Sequence, residues 1–87
     1  MIGTQILNYK VKSLLGEGGM GIVYLAEHVK LGRKVAIKVL HAHLASNESI
    51  RNRFINEAKT MAELQHPNIV SLLDYHEDEF GLYLIME

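Results

Sequence analysis

The chain has 87 residues, 48% of them apolar, enough for one small core and close to the size at which a single domain is marginal on its own. Nine Lys and Arg against ten Asp and Glu leave a net charge of −1, which excludes a global field that recruits nucleic acid or an anionic membrane, so any anion binding is local. The absence of cysteine excludes a disulfide framework, a thiolate metal site and thiol catalysis. Nothing reads as a signal peptide or a membrane span, and Ile2 stands where N-myristoylation needs a glycine, so a soluble, cytoplasmic chain is expected.

Tyr9 to Leu15 mixes lysines with apolar residues and runs into a glycine-rich stretch, after which Ile22 to His28 resumes a strand pattern, so the pair reads as a hairpin. Lys30-Leu31-Gly32-Arg33 reads as a turn, followed by a strand over 34–40 rich in β-branched and aliphatic residues. Ser46 or Asn47 is the expected N-cap of a helix that carries Ile50, Phe54, Ala58, Met61 and Leu64 or Gln65 at three- and four-residue spacing. Pro67 sets its end near Gln65. Ile69 to Tyr75 and Leu82 to Met86 read as two more strands, joined by an acidic turn from Glu77 to Gly81. The expected fold is α+β, a five-stranded antiparallel sheet with one main helix in the order βββαββ, with no repeat and no linker.

Residues 16–23 read Gly-Glu-Gly-Gly-Met-Gly-Ile-Val, and Val-Ala-Ile-Lys follows at 35–38. Glycines let backbone approach a phosphate closely and aim amide N–H groups at its oxygens, while Lys38 supplies the positive charge. The glycine pattern alone is weak, and its flanks decide between readings. A dinucleotide-binding loop opens a helix and expects an acidic residue about 20 positions on, yet Ile22 to Leu25 are strand formers and residues 33–40 hold no Asp or Glu. A Walker A loop ends in Gly-Lys-Ser/Thr, and here Ile22 follows Gly21.

Period-two alternation puts Ala36, Lys38 and Leu40 on one face of the third strand and Val35, Ile37 and Val39 on the other. A lysine mid-strand among aliphatic neighbours requires an anion. Glu57, three residues after Phe54 and four before Met61, lies on or beside the apolar stripe of the helix and is the acid best placed to meet it. Glu48 and Glu63 read as solvated. Bland readings stand beside these: an ordinary ion pair for Lys38 and Glu57, a flexible turn for the glycines, gap-filling packing for Met20, Met61 and Met86, a helix cap for His66, and a solvated turn for Glu77 to Glu79. His41 and His43 put two imidazoles on one strand face, but no third ligand is suggested, so no metal site is expected.

With these residues in order, the chain resembles the N-terminal lobe of a protein kinase from about residue 9 to residue 87. The resemblance rests on Leu15 to Val23, Val35-Ala36-Ile37-Lys38, Phe54-x-x-Glu57, His66-Pro67-Asn68-Ile69-Val70 and Leu82 to Glu87; any one could arise by chance, and five in register hardly could. The Gly-Glu-Gly-Gly-Met-Gly loop is most similar to bacterial, eukaryotic-like serine/threonine kinases. The resemblance implies that Gly18, Gly19, Met20 and Gly21 cover the β- and γ-phosphates of ATP, that Lys38 contacts the α- and β-phosphates and that Glu57 holds the lysine. It further implies that Val23, Ala36 and Leu15 pack on the adenine, that Met86 is the gatekeeper, and that the Glu87 carbonyl begins the hinge; Gly16 and Glu17 belong to the same loop. Met61 and Leu72 correspond to two regulatory-spine positions.

Kinases draw the carboxylates that hold Mg2+ and orient the hydroxyl from the C-terminal lobe. The two aspartates here, Asp74 and Asp78, stand in neither a His-Arg-Asp nor an Asp-Phe-Gly context. The expectation is therefore a lobe truncated at the hinge and catalytically inactive by itself, from a kinase that phosphorylates Ser/Thr of protein substrates and could be membrane-tethered as a whole. The alternative is a non-catalytic nucleotide-binding or kinase-pairing module, with an N-lobe dimer or a separate C-lobe as partner, because the cleft side with Leu15, Val23, Ala36, Leu84 and Met86 would expose apolar surface.

Overall fold

A computed structural model describes residues 1–18, 21–63 and 71–87. In chain order the elements are β1 (Gln5–Ile6), β2 (Tyr9–Gly18), β3 (Gly21–His28), β4 (Lys34–His41), α1 (Ala42–Ala45), α2 (Glu48–Glu63), β5 (Leu72–Asp78) and β6 (Gly81–Met86). The strands form one antiparallel sheet in the order β1-β2-β3-β4-β6-β5. The mostly antiparallel sheet with one main helix is the expected architecture, enlarged by one short strand and one short helix.

β1 is two residues long, too short to display a period, and it forms only because Gln5 and Ile6 pair with Lys10 and Tyr9. Gly3 N donates to Val11 O and Val11 N donates to Thr4 O, which extends this tie toward the N-terminus. Ile6 is thereby buried beneath the sheet. The helix α1 occupies residues the sequence reading left in a strand extension, so His43 sits in a helix and His41 closes β4. The two imidazoles therefore do not share a strand face; their rings stack with centroids 6.2 Å apart.

Alternation along β4 is as expected. Val35, Ile37 and Val39 face a core that includes Val11, Tyr24, Ala26, Tyr83 and Ile85, with Ile6 added from β1. Leu40 faces the other side, where it meets Leu82, Leu84, Phe54, Ala58 and Ala45. Cross-strand partners lie on one face of a sheet, and the register pairs Leu40 with Leu82, Lys38 with Leu84 and Ala36 with Met86.

Helix α2 starts where Asn47 caps it: Ile50 N donates to Asn47 Oδ1 at 3.2 Å, which satisfies one of the orphan amides of the first turn. Ser46, the other candidate, instead donates its hydroxyl to His43 O. Phe54 and Ala58 are the buried residues of α2, with Ile50 and Ile55 packed at the margin, the spacing of an amphipathic stripe. The predicted helix end near Gln65, the His66 cap, the His66-to-Val70 motif and the strand start at Ile69 lie outside the described residues.

β5 runs three residues further than expected, to Asp78, and leaves Glu79 and Phe80 as the turn. Asp78 Oδ1 accepts from Phe80 N at 2.8 Å, Gly81 N at 3.2 Å and the Tyr83 hydroxyl at 3.0 Å, an Asx arrangement that fixes a tight turn. Glu77 is exposed but belongs to β5 rather than to the turn, and Arg51 Nη2 donates to both of its carboxylate oxygens at 2.8 and 2.9 Å.

Candidate functional site

The β2–β3 hairpin pairs Gly16 with Val23, Glu17 with Ile22 and Gly18 with Gly21; Gly19 and Met20 lie outside the described residues. The glycines differ in what demands them. A Cβ on Gly21 would lie 2.5 Å from Val39 O, so close approach of β3 to β4 excludes a side chain there. A Cβ on Gly16 would meet nothing within 4 Å among the described residues. Packing among the described residues therefore gives Gly16 no reason to lack a side chain.

Lys38 sits between Val23 on β3 and Leu84 on β6. Leu25 pairs with Ala36, and Ala36 with Met86. One face of the sheet thus collects Val23, Ala36, Lys38 and Met86, each half-buried. Leu15 is the extra residue of a bulge between Leu14 and Gly16 and is 57% exposed beside this face. Glu17 is exposed. Leu84, expected to add exposed apolar surface here, is fully buried instead because it packs into the core under α2.

The helix supplies the anion. Lys38 Nζ donates to Glu57 Oε1 at 2.8 Å, with side-chain exposures of 19% and 39%. Glu57 lies between Phe54 and Ala58, and their burial seats the helix so that this carboxylate overhangs β4. The pair is part-buried, so the carboxylate offsets the cost of placing a lysine ammonium in mid-sheet.

At the end of β6, Glu87 N donates to Ser71 O at 3.0 Å, and Glu87 Oε1 accepts from Arg33 Nη2 at 2.9 Å. Neither Arg33 nor Arg51 was anticipated as a partner. Their contacts join residues distant along the chain, and no local spacing announces them. Leu72 packs against the core under α2, and Met61 is half-buried on the same helical stripe. Among the described residues no group of three His, Asp or Glu side chains lies close enough to hold a metal ion, and no helix is long and apolar enough to cross a membrane.

The profile of the protein kinase domain matches residues 9–87. The chain belongs to the protein kinase domain family. Its sheet and single main helix correspond to the N-terminal lobe of that domain. It is 44% identical over 87 residues to the serine/threonine-protein kinase Pkn1 of Myxococcus xanthus, a match that covers 100% of this chain and 13% of the relative. It is 47% identical over 83 residues to the serine/threonine-protein kinase PksC of Streptomyces coelicolor, covering 91% and 15%. With the serine/threonine-protein kinase PrkC of Bacillus subtilis the identity is 42% over 88 residues, covering 100% and 14%. The chain therefore spans only a small part, 13–15%, of the length of these relatives.

Proposed function

We propose that this chain is the ATP-binding lobe of a protein serine/threonine kinase. The observation that carries this reading is the 2.8 Å Lys38–Glu57 pair on the face that also holds Val23, Ala36 and Met86, next to a hairpin whose Gly16 leaves open space. In this reading Lys38 neutralises the α- and β-phosphates and Glu57 holds the ammonium in place. Backbone amides from Gly18 to Gly21, Gly19 and Met20 included, cover the β- and γ-phosphates, with Gly16 and Glu17 leading into that cover. Val23, Ala36 and Leu15 enclose the adenine, Met86 closes the back of the pocket and Glu87 offers its backbone carbonyl. Met61 and Leu72 stack behind the site as its share of the regulatory spine.

The bound Mg2+–triphosphate would supply the phosphoryl group that passes to a Ser or Thr hydroxyl of a protein. These residues bind and orient it but carry no group to hold the metal or to take the hydroxyl proton. Asp78 is committed to three donors in the β5–β6 turn, and Asp74 Oδ1 accepts from Tyr75 N at 2.8 Å. Both functions are assigned to a C-terminal lobe, and the 87-residue chain alone is proposed to be inactive.

Titration of the chain with ATP and Mg2+ by calorimetry or 31P NMR tests the binding. The expected constant is weak, on the order of millimolar, and Lys38→Ala abolishes it. Binding that survives Lys38→Ala would remove the assignment, and a micromolar constant would show that these residues suffice. Incubation with labelled ATP, Mg2+ and a generic protein substrate is expected to give no turnover above the Lys38→Ala background.

A second reading, a non-catalytic module that pairs with another kinase chain, is favoured by the half-buried strip of Val23, Ala36 and Met86 with exposed Leu15. Size-exclusion chromatography with and without a separately produced C-terminal lobe checks it. A monomer that ignores that lobe counts against it.

A further inference from the structure

We propose that Arg51 and Glu77 form a latch that sets the position of helix α2 and so keeps Glu57 on Lys38; both are positioning residues for the charge pair, whose nucleotide role rests on the reading above. The lobe divides into two stiff bodies. In one, the β5–β6–β4 ladder fixes Glu77 relative to Lys38, since Glu77 pairs with Leu82, Leu82 with Leu40, and Lys38 with Leu84. In the other, the hydrogen-bonded helix fixes Arg51 relative to Glu57. The two bodies meet most deeply through Phe54 and Ala58, one helical turn apart on a single stripe, with Ile50 and Ile55 only partly buried at its margins. Deep anchors on one line set the depth of a helix against a sheet, and a swing about that line is resisted by what lies at its margins, here two partly buried isoleucines and the polar contacts beside them. The Arg51–Glu77 and Lys38–Glu57 pairs bridge the same two bodies at either side of these anchors.

At its own end the latch spans a groove, with Ile50 the apolar neighbour that packs at the core margin. A groove of about 230 Å3 opens between α1, the first turns of α2 and the β5–β6 hairpin, lined in part by Ala45, Ser46, Arg51, Glu77 and Gly81. Where side chains interdigitate, close packing holds an element; across this groove the guanidinium–carboxylate contact does so. Arg51 Nη2 reaches both Glu77 oxygens, a geometry more restrictive than a single contact. Tyr75 Oη adds a 3.4 Å hydrogen bond to Glu77 Oε1 that steadies the carboxylate. Among the described residues the titratable group hydrogen-bonded to this pair is Tyr75, and both charged side chains are partly exposed. Such a pair adds little to global stability, so its effect is to be sought at Lys38 rather than in a melting curve.

Residue-resolved acetylation of the 87-residue chain by an N-hydroxysuccinimide ester, followed by mass spectrometry, provides that local readout without any nucleotide. An ammonium held by Glu57 reacts slowly, and Glu57→Gln sets the rate of a released Lys38. Arg51→Ala and Glu77→Ala are expected to raise the Lys38 rate by about threefold or more, toward the Glu57→Gln value, with Lys10 and Lys59 unchanged. The exchanged pair Arg51→Glu with Glu77→Arg is expected to return Lys38 to within about twofold of the native rate, a rescue that loss of bulk at either site would not give. Native Lys38 rates in both alanine variants, beside a raised rate in Glu57→Gln, would overturn the latch; so would a Glu57→Gln rate equal to native. If an alanine variant unfolds and accelerates every lysine together, the exchanged pair decides. Folded with slow Lys38 it supports the latch, and folded with fast Lys38 it overturns it. The nucleotide assignment fails separately, in the Lys38→Ala titration.

Discussion

On the face of the sheet that carries Val35, Ile37 and Val39, inward side chains meet other apolar side chains, and the short strand β1 brings Ile6 to complete the cover. The opposite face changes character along β4. Leu40 lies under helix α2 in a closed core, while Lys38 and Ala36, two and four residues earlier on the same face, are only half-buried. The contrast teaches that the face closed by strands serves stability, whereas the face half-covered by a helix holds a charge at its open margin. A lysine on the first face would have been buried without a partner; on the second, Glu57 reaches it from the helix edge.

The sharpest break of this contrast is Phe54→Ala. Phe54 is fully buried and is the main anchor of α2, and its truncation is expected to cost about 3–5 kcal/mol, read by urea or thermal denaturation. In a chain of this size that is enough to unfold most molecules. A cost below about 1 kcal/mol would mean that α2 is held by something other than its core contacts.

Smaller effects separate the two glycines of the hairpin. Gly21→Ala forces a Cβ against the Val39 carbonyl and is expected to cost about 1–3 kcal/mol. Gly16→Ala meets nothing among the described residues and is expected to stay within about 0.5 kcal/mol of the native chain, while weakening ATP binding if the nucleotide lies against it. Equal stability costs for the two would contradict the packing distinction.

At neutral pH the smallest effect belongs to the strand-closed face. The Tyr83 phenol is pushed up to about 12, first by burial and then by its hydrogen bond to Asp78. An unfolded tyrosine titrates near 10, so above that pH the unfolded chain loses this proton before the folded chain does. The stability tied to Tyr83 is therefore complete below about pH 10 and is lost as pH rises through about 12. Denaturation curves over that window should show a steeper decline for the native chain than for Tyr83→Phe; parallel declines would refute the assignment.

Much of the site was legible in the sequence because its signals are local. The Gly-x-Gly-x-x-Gly-x-Val loop, the alternation around Lys38 and the helical spacing of Phe54, Glu57 and Met61 each repeat with the period of one element, and the Lys38–Glu57 pair followed from combining two such periods. What the sequence reading missed lacks any period. β1 is two residues, α1 is four, and the tight turn after Asp78 depends on one carboxylate that collects three donors. Leu84 was placed on an open cleft face because alternation tells which face a side chain takes but not which part of that face a helix covers.

By itself, then, the amino-acid order determined the five longer strands, the main helix, the face on which Lys38 lies and the acid that meets it, since backbone periodicity converts spacing directly into direction. Only the tertiary structure decided that Gly21 is required by its neighbour and Gly16 is not, and that Arg33 reaches Glu87 and Arg51 reaches Glu77. Those outcomes depend on distances between elements, which are set by how helix and sheet pack against each other and leave no mark in the spacing along a single element.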